Sequence, residues 1–366
     1  MTYLGIDLHS DCFTCCFLSE DGKKYTLSFR FTPESLKEFY RHLYENISVM
    51  MEASTNSFRF VELLKDKVKE VVVANTHKLK LISLVKKKTD KIDAEKLAIV
   101  LKMQLRSGEG IVKPVYVPEK TIQDLRSLFT TYRVLRKQIG QIKNRIHALL
   151  KQQLFPFTKT YIFGKAHRQA LKELGGEETF RFQLQFLFKV LEQQEKDIQE
   201  VEKQIYFIGS AYLKEIDILS SMKGISVFTA LALIADIATI ERFPNAKHFS
   251  SYLRSAPAPG VDSSNTTTRV TSTNKCGRKL SVTLLSQSLN HFRDSNAKLR
   301  RWYDKKVVHM KRGKLRMALC RRVFTELYQM LKKGEYHTYR DKRNHQQKME
   351  AYYRFLGEHK IIEFVA

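Results

Sequence analysis

The sequence has few of the features that mark extracellular proteins. It contains only five cysteines, at positions 12, 15, 16, 276 and 320. Three of them fall in one predicted strand, where neighbouring side chains alternate between faces, which is a poor framework for disulfides and fits a reducing cytoplasm. The pair Cys12-x-x-Cys15 has no second pair at a zinc-site spacing, which favours buried structural thiols over zinc ligands.

Long apolar runs are also missing. No stretch is long enough to span a bilayer, and the N-terminal MTYLGIDLHSD carries Asp7 and Asp11 where a signal peptide needs apolar residues. We therefore expect no membrane association and a cytoplasmic, nucleoid-associated protein.

Acidic residues are scarce relative to basic ones. The 38 Asp and Glu face 64 Lys and Arg, which gives a net charge of +26. This excess favours a polyanionic partner, because each Lys or Arg contact with a polyphosphate releases counterions. Nucleic acid is the leading candidate, and an anionic membrane surface is the alternative.

Length and pattern predict several domains of the α/β plus α class. The 366 residues are 43% hydrophobic, enough for two or three folded cores. We predict domains at 1–118, 119–210 and 211–333, and a basic tail at 334–366. In the first, three strand patterns precede a helix, a strand, a helix and a strand. This order is typical of a ribonuclease-H-like fold, although other α/β domains share it.

The region 119–210 has the apolar 3-4 spacing of heptad helices. One seam runs from Leu125 to Leu149 and a second from Leu184 to Ile208. Two such helices predict a coiled coil, formed within the chain as an antiparallel hairpin, between chains as a dimer interface, or both. An ordinary helical bundle is the alternative.

Four acidic residues form the main candidate site. Asp7 and Glu52 each end a buried strand pattern, where an unpaired charge would be costly. Asp90 and Asp93 are three apart, so both carboxylates share one face of a helix. Such acids suit Mg²⁺ or Mn²⁺. Two such ions about 4 Å apart activate an attacking oxygen and stabilise a leaving oxygen at a phosphodiester.

Each acid also has a structural interpretation. Asp7 could cap the following turn, and Asp90 could be the N-cap of a helix. Asp93 could then interact with the helix dipole. The combination of four acids within a strongly basic chain favours the metal site.

GIDLHSD, MEAS and KKTDKIDAEKLA resemble the acidic signature of the DEDD transposases of the IS110 insertion-sequence family, to which the Piv and MooV invertases are related. The resemblance implies a RuvC-like, ribonuclease-H-type first domain with catalytic metal ligands at Asp7, Glu52, Asp90 and Asp93. It also implies a bacterial or archaeal protein that acts on donor and target DNA, with a structured guide (bridge) RNA, as a dimer or tetramer. MEAS departs from the more usual EATG, which changes the turn after Glu52 but keeps the acid.

The segment SMKGISVFTALALIADIATIERFPNAKHFSSYLRSAPAPG resembles the second domain of the same family, with KGIS in place of the usual PGIG. The family carries a nucleophilic serine in the following loop. Counting back from NKCG places this serine at Ser263. Counting forward from FPNAKHF lands one residue early, on Asp262, which indicates a one-residue insertion between the two motifs. Ser263 is therefore the candidate, with Ser264 as the reserve. From the residues alone, DSSNTTT favours a flexible polar linker, because a serine hydroxyl needs a base or metal to become a nucleophile.

Basic residues of the C-terminal half are predicted to contact nucleic acid through phosphate pairing and base stacking. They are Arg269, Lys275, Arg278, Lys279, Arg300, Arg301, Lys311 and Arg312. Trp302 lies among them and would stack on a base or pack in the core.

The acids and the basic charge, together with the resemblance, predict a DNA transposase or recombinase. The resemblance implies a composite site of metal-bound acids and a serine nucleophile. One alternative is a metal-only, RuvC-like, junction-resolving nuclease, which would leave no protein–DNA adduct. The other is a non-catalytic nucleic-acid-binding protein with structural acids.

Overall fold

The structure of the protein is a computed structural model that describes residues 1–75, 89–155, 162–257 and 277–359. The chain divides into two compact units, residues 1–118 and 119–366. The first is α/β and the second is helical, which confirms the predicted α/β plus α class.

The first unit contains a mixed sheet with helices on both faces. Its strands are β1 (Thr2–Leu8), β2 (Cys12–Ser19), β3 (Lys24–Arg30), β4 (Ile47–Glu52) and β5 (Glu70–Ala74). Its described helices are α1 (Pro33–Tyr40), α2 (Ser57–Leu64) and α3 (Asp90–Ser107).

The sheet has the order β3-β2-β1-β4-β5. The first three strands form an antiparallel meander, and β4 and β5 add in parallel on the other side of β1. Because β1 and β4 are parallel neighbours, their carboxyl ends lie at the same edge, where Ile6 pairs with Met51. The residues that follow this pair, Asp7 and Glu52, therefore end their strands side by side.

Alternation along the strands separates two apolar layers. Leu4 and Ile6 pack into one layer with the side chains of α1 and α2, including Phe39 and Phe60. The opposite face, which includes Tyr3, Cys16 and Met50, is covered by α3 through side chains such as Ala94, Leu97, Ala98 and Leu101. The sheet is thus buried on both sides, which explains its nearly continuous apolar strands.

Helix α3 crosses β1 at very short range. A Cβ atom built on Gly5 would lie 1.9 Å from the carbonyl oxygen of Ala94 and 2.5 Å from the amide nitrogen of Ala98. Only glycine leaves room for this approach, in which small alanines form the facing surface of the helix. The contact fixes the height of α3 above the sheet.

The second unit consists of helices. Its described elements are α4 (Lys120–Gln152), α5 (Lys165–Lys172), α6 (Glu178–Gly209), a 3₁₀ turn (Ser210–Tyr212), α7 (Leu213–Ser220), α8 (Val227–Ile237), α9 (Ala246–Tyr252), α10 (Leu280–Gln287), α11 (Leu289–Ser295), α12 (Ala297–Val307), α13 (Arg312–Lys333) and α14 (Lys342–Glu358).

The two long helices of this unit pack against each other as an antiparallel pair. Phe129, near the start of α4, shares a buried cluster with Ile205, near the end of α6. Toward the other ends, Ile146 shares a second cluster with Leu184 and Phe188. The heptad seams predicted from the sequence therefore face each other within one chain.

Helix α8 is buried along most of its length and shares one core with α7, α9, α10 and α13. Helix α14 joins the same core through Met349, Tyr352 and Leu356. Residues 342–358 of the predicted basic tail are therefore a packed helix whose polar side faces outward. Within the described parts of the chain, no helix is both long enough and apolar enough to cross a membrane.

Replacement of Gly5 by alanine tests the close packing of α3 on β1. We expect Gly5→Ala to lower the free energy of unfolding of the first unit by about 3 kcal/mol, because the new methyl group overlaps helix backbone. Urea unfolding followed by circular dichroism measures the change. Gly110→Ala is the matched control, since a methyl group added there would have no other atom within 4 Å. Equal stability of the two variants would contradict the close contact.

Candidate functional site

Strands β1 and β4 present two carboxylates on the sheet face that α3 covers. Tyr3 and Met50 belong to the apolar layer beneath α3. Asp7 lies four residues after Tyr3 and Glu52 lies two residues after Met50, so strand alternation places both acids on this same face. The strands end here, so neither acid is enclosed within the apolar layer; the side chain of Asp7 remains 16% exposed.

Helix α3 brings the other two predicted acids to this edge. Ala94 and Ala98 face the sheet, and Asp90 precedes them by one and two helical turns. Leu97 and Leu101 follow Asp93 in the same way. The face that packs on the sheet thus continues at its N-terminus as two carboxylates.

The start of α3 corrects one interpretation drawn from the sequence. Thr89 is the N-cap, and its hydroxyl accepts a hydrogen bond from the amide of Ile92. Asp90 is the first helical residue, so the interpretation of Asp90 as N-cap is wrong. Both Asp90 and Asp93 lie in the first turn, where the helix dipole favours negative charge.

A histidine that the sequence analysis did not select lies between two of the acids. His9 Nε2 is 3.3 Å from Asp7 Oδ2 and 3.3 Å from Asp90 Oδ2. Ligand atoms of Asp7, His9 and Asp90 all lie within 4.8 Å of one another. In the sequence, only the position of His9 two residues after Asp7 could have indicated that it lies beside the acids. Many histidines that follow strands do not lie beside a metal site.

The four carboxylates interact electrostatically. Burial is the main cause that raises the pKa of Asp7 above its usual value, and the charges of Asp90, Asp93 and Glu52 raise it further. The nearby His9 opposes this effect. Like charges gathered at a partly buried edge repel one another unless a cation compensates them.

The donor set fits a divalent cation. Asp7 and Asp90 supply carboxylate oxygens, and the buried Nε2 of His9, which has no hydrogen-bond partner, lies 3.3 Å from an oxygen of each. Glu52 and Asp93 complete the acidic surroundings but lie outside the tight group. Asp93 Oδ1 is paired with Lys96 Nζ at 3.2 Å, so this carboxylate would exchange one cation for another on binding metal.

In the second unit, the residues on either side of the segment 258–276 are held together. Arg278 donates its amide to the carbonyl of Tyr252 at 2.9 Å, and Arg254 Nε donates to the carbonyl of Gly277 at 2.6 Å. Gly277 has φ +95°, and a Cβ atom there would lie 2.1 Å from the Tyr252 oxygen. We call the residues 252–255 and 277–278 the loop base.

A buried carboxylate anchors the loop base. Asp236 is fully buried on α8, and Arg278 Nε donates to its Oδ1 at 2.7 Å. The amide and the hydroxyl of Ser281 donate to Oδ2 at 2.9 and 2.7 Å. On the other side, Arg321 donates two hydrogen bonds to the carbonyl of Ser255. Sequence reasoning missed Asp236, because one acid in an apolar helix reveals no partner.

The basic residues predicted to bind nucleic acid differ in whether their side chains are exposed in the structure. Arg278 is occupied by Asp236, as described. Five others have exposed side chains: Lys279, Arg300, Arg301, Lys311 and Arg312. Arg269, Lys275 and both candidate serines, Ser263 and Ser264, lie outside the described residues.

Trp302 is half-buried against the core, and the Arg322 guanidinium lies 4.3 Å from the centre of its ring, which favours the core interpretation.

Removal of Arg278 tests the anchor of the loop base. We expect Arg278→Ala to lower the free energy of unfolding by about 2–4 kcal/mol, because it leaves the buried Asp236 carboxylate without its cation. Urea unfolding measures the change. Lys279→Ala removes an adjacent exposed charge and should leave stability nearly unchanged; a similar loss in both variants would show that the Asp236 ion pair does not stabilise the fold.

Two family models match the chain. A transposase model for the DEDD enzymes of IS110 matches residues 4–156, and the transposase model of the IS116/IS110/IS902 family matches residues 216–303. The first match contains all four acids, and the second contains Asp236 and the loop base. No curated protein matches the chain. The two matches together cover about two thirds of the sequence, and the chain belongs to the IS110 family of DEDD transposases.

Proposed function

We propose that this transposase cuts and rejoins DNA at a RuvC-like metal site made by Asp7, Glu52, Asp90 and Asp93. Membership of the family establishes a DNA transposase or recombinase. The observation that carries the proposal is the gathering of Asp7 and Asp90 on the α3 face of the sheet, with Glu52 and Asp93 close enough to raise the pKa of Asp7. The strand order β3-β2-β1-β4-β5 supports the proposed RuvC-like, ribonuclease-H-type fold.

Each acid has a defined task in this proposal. Asp7 and Glu52 hold the cation from the strand ends, and Asp90 and Asp93 hold it from the helix. Bound Mg²⁺ or Mn²⁺ would supply Lewis-acid activation of an attacking oxygen and stabilisation of a leaving oxygen. The packing of α3 through Gly5 fixes the distance between the two pairs of acids. The partial burial of Asp7 keeps water from screening these charges.

Ser263 is the proposed nucleophile, with Ser264 as the reserve. Its hydroxyl oxygen would bond to the DNA phosphorus while one backbone P–O bond breaks, and the hydroxyl proton would pass to the released sugar oxygen. Attack by another sugar hydroxyl on this phosphoserine would rejoin the strand and restore the serine. The loop base supports the proposal, because it holds both flanks of the segment to the buried Asp236.

The proposed partners are donor DNA, target DNA and a structured guide RNA encoded by the same element. The net charge of +26 and the exposed cations Lys279, Arg300, Arg301, Lys311 and Arg312 support polyanionic partners.

We further propose a dimer or tetramer in which the α4–α6 pair extends a coiled coil between chains. Phe182 and Phe186 on α6 are 67% and 54% exposed, and their rings stack with centroids 6.1 Å apart. An exposed pair of large aromatic side chains supports a further contact surface on this hairpin.

Substitution of the acids tests the metal site. We expect Asp7→Asn, Glu52→Gln and Asp93→Asn each to reduce Mg²⁺-dependent DNA cleavage at least about 100-fold, because each removes a charged oxygen from the cation. Cleavage is measured with RNA transcribed from the DNA that flanks the gene. Asp66→Asn is the control, since Asp66 is exposed and lies in the turn after α2. Wild-type cleavage by the acid variants would indicate that these acids are structural.

Substitution of the serines tests the covalent step. We expect a protein–DNA adduct on denaturing gels that is lost in Ser263→Ala and retained in Ser264→Ala. Loss in Ser264→Ala alone would move the nucleophile to the reserve position. Cleavage without any adduct would support a metal-only nuclease, and tight, salt-sensitive binding without cleavage would support a non-catalytic binding protein.

A further inference from the structure

The nitrogen atom of His9 that faces the acids is unusually placed. His9 Nε2 is buried and has no hydrogen-bond partner, although the side chain as a whole is 38% exposed. Its distances to Asp7 and Asp90 are both 3.3 Å. A charge-assisted hydrogen bond between nitrogen and carboxylate is shorter, about 2.7–2.9 Å. The nitrogen thus lies within ion-pair distance of both carboxylates and is hydrogen-bonded to neither.

This spacing fits shared ligation of one cation. Two ligand atoms that occupy adjacent positions around an octahedral divalent ion lie about 3 Å apart. The three atoms come from three different elements: the end of β1, the β1–β2 turn and the start of α3. An ion that binds them would join these elements and would remove the repulsion between Asp7 and Asp90.

The backbone of His9 is held in place from two sides. Its amide donates to the carbonyl of Cys12 at 2.9 Å, which closes the β1–β2 turn. Its carbonyl accepts from Asn56 Nδ2 at 2.8 Å, and Asn56 Oδ1 accepts from the hydroxyl of Ser54 at 2.8 Å. Asn56 follows Glu52 by four residues, so the turn after β4 positions both Glu52 and His9. These contacts fix the main chain that carries the imidazole beside the acids.

We propose that His9 is a nitrogen ligand of the catalytic cation and that it shifts the preference of the site toward Mn²⁺ over Mg²⁺. This inference rests on the proposed function of the acids as metal ligands. An imidazole nitrogen is a softer donor than a carboxylate, and Mg²⁺ binds oxygen ligands almost exclusively. A set of carboxylates alone would favour Mg²⁺ at cellular concentrations, whereas one nitrogen makes Mn²⁺ an effective competitor.

Pulsed electron paramagnetic resonance of the full chain loaded with Mn²⁺ alone tests the ligand directly. We expect a ¹⁴N coupling typical of a directly bound imidazole in the wild type. The coupling should disappear in His9→Gln, which keeps an oxygen donor at this position, and should persist in His42→Gln. His42 packs near the rings of Phe17 and Phe29 in the same unit. Thermal unfolding of each variant verifies that it is folded.

Competition titrations provide a second measurement. We expect the preference for Mn²⁺ over Mg²⁺ to fall about tenfold in His9→Gln, with Mg²⁺ binding nearly unchanged. Bound Mn²⁺ without a ¹⁴N coupling, or a coupling that survives His9→Gln, would overturn the role of His9 and leave the acids in place. Mn²⁺ binding that survives Asp7→Asn, or no binding at all, would overturn the proposed metal site as well.

Discussion

The contact between helix α3 and strand β1 at Gly5 sets the geometry of the candidate metal centre. The helix backbone approaches so closely that no side chain fits between them. This brings the first turn of α3 to the height of the strand ends, where Asp7 and Glu52 terminate β1 and β4. A helix held farther away by larger side chains would separate the two pairs of acids, and no single cation could then span them.

The second unit uses a related arrangement. Gly277, at φ +95°, allows the chain to touch the carbonyl of Tyr252, and the buried carboxylate of Asp236 fixes the adjacent residues through Arg278 and Ser281. Asp236 accepts three hydrogen bonds, which offsets the cost of burying its charge. In both units, a glycine permits a close backbone contact, at Gly5 between α3 and β1 and at Gly277 within the loop base.

The sequence indicated the four acids as candidate metal ligands because of their positions in the predicted strands and helix. Asp7 and Glu52 are charges at the ends of apolar strands, and the spacing of Asp90 and Asp93 requires only a helix to place them on one face. The order of the strands and helices in the first unit followed from apolar periodicity.

The sequence did not predict features that depend on contacts between distant segments. His9 approaches Asp90 only because the β1–β2 turn and the start of α3 meet in space. Arg278 was grouped with the nucleic-acid contacts because a basic residue near a polar loop is indistinguishable from one paired with a buried acid. Thr89 and Asp90 are both good N-caps, and only the backbone conformation of Thr89 decides between them.

The electrostatic arrangement links cation binding to nucleic-acid binding. A phosphodiester drawn in by a chain of charge +26 meets four carboxylates at the place where it would react. Without cations these acids would repel the phosphate and one another. Burial is the main cause of the raised pKa of Asp7, and the charges of the neighbouring acids raise it further. As pH falls through that raised pKa, protons compete with metal for Asp7, so cation affinity decreases. Two bound divalent cations would offset the charge of the four carboxylates, so that the phosphate could approach them. In the proposed function, the basic residues of the chain would attract the polyanion, and cations held by the acids would let its phosphate approach them.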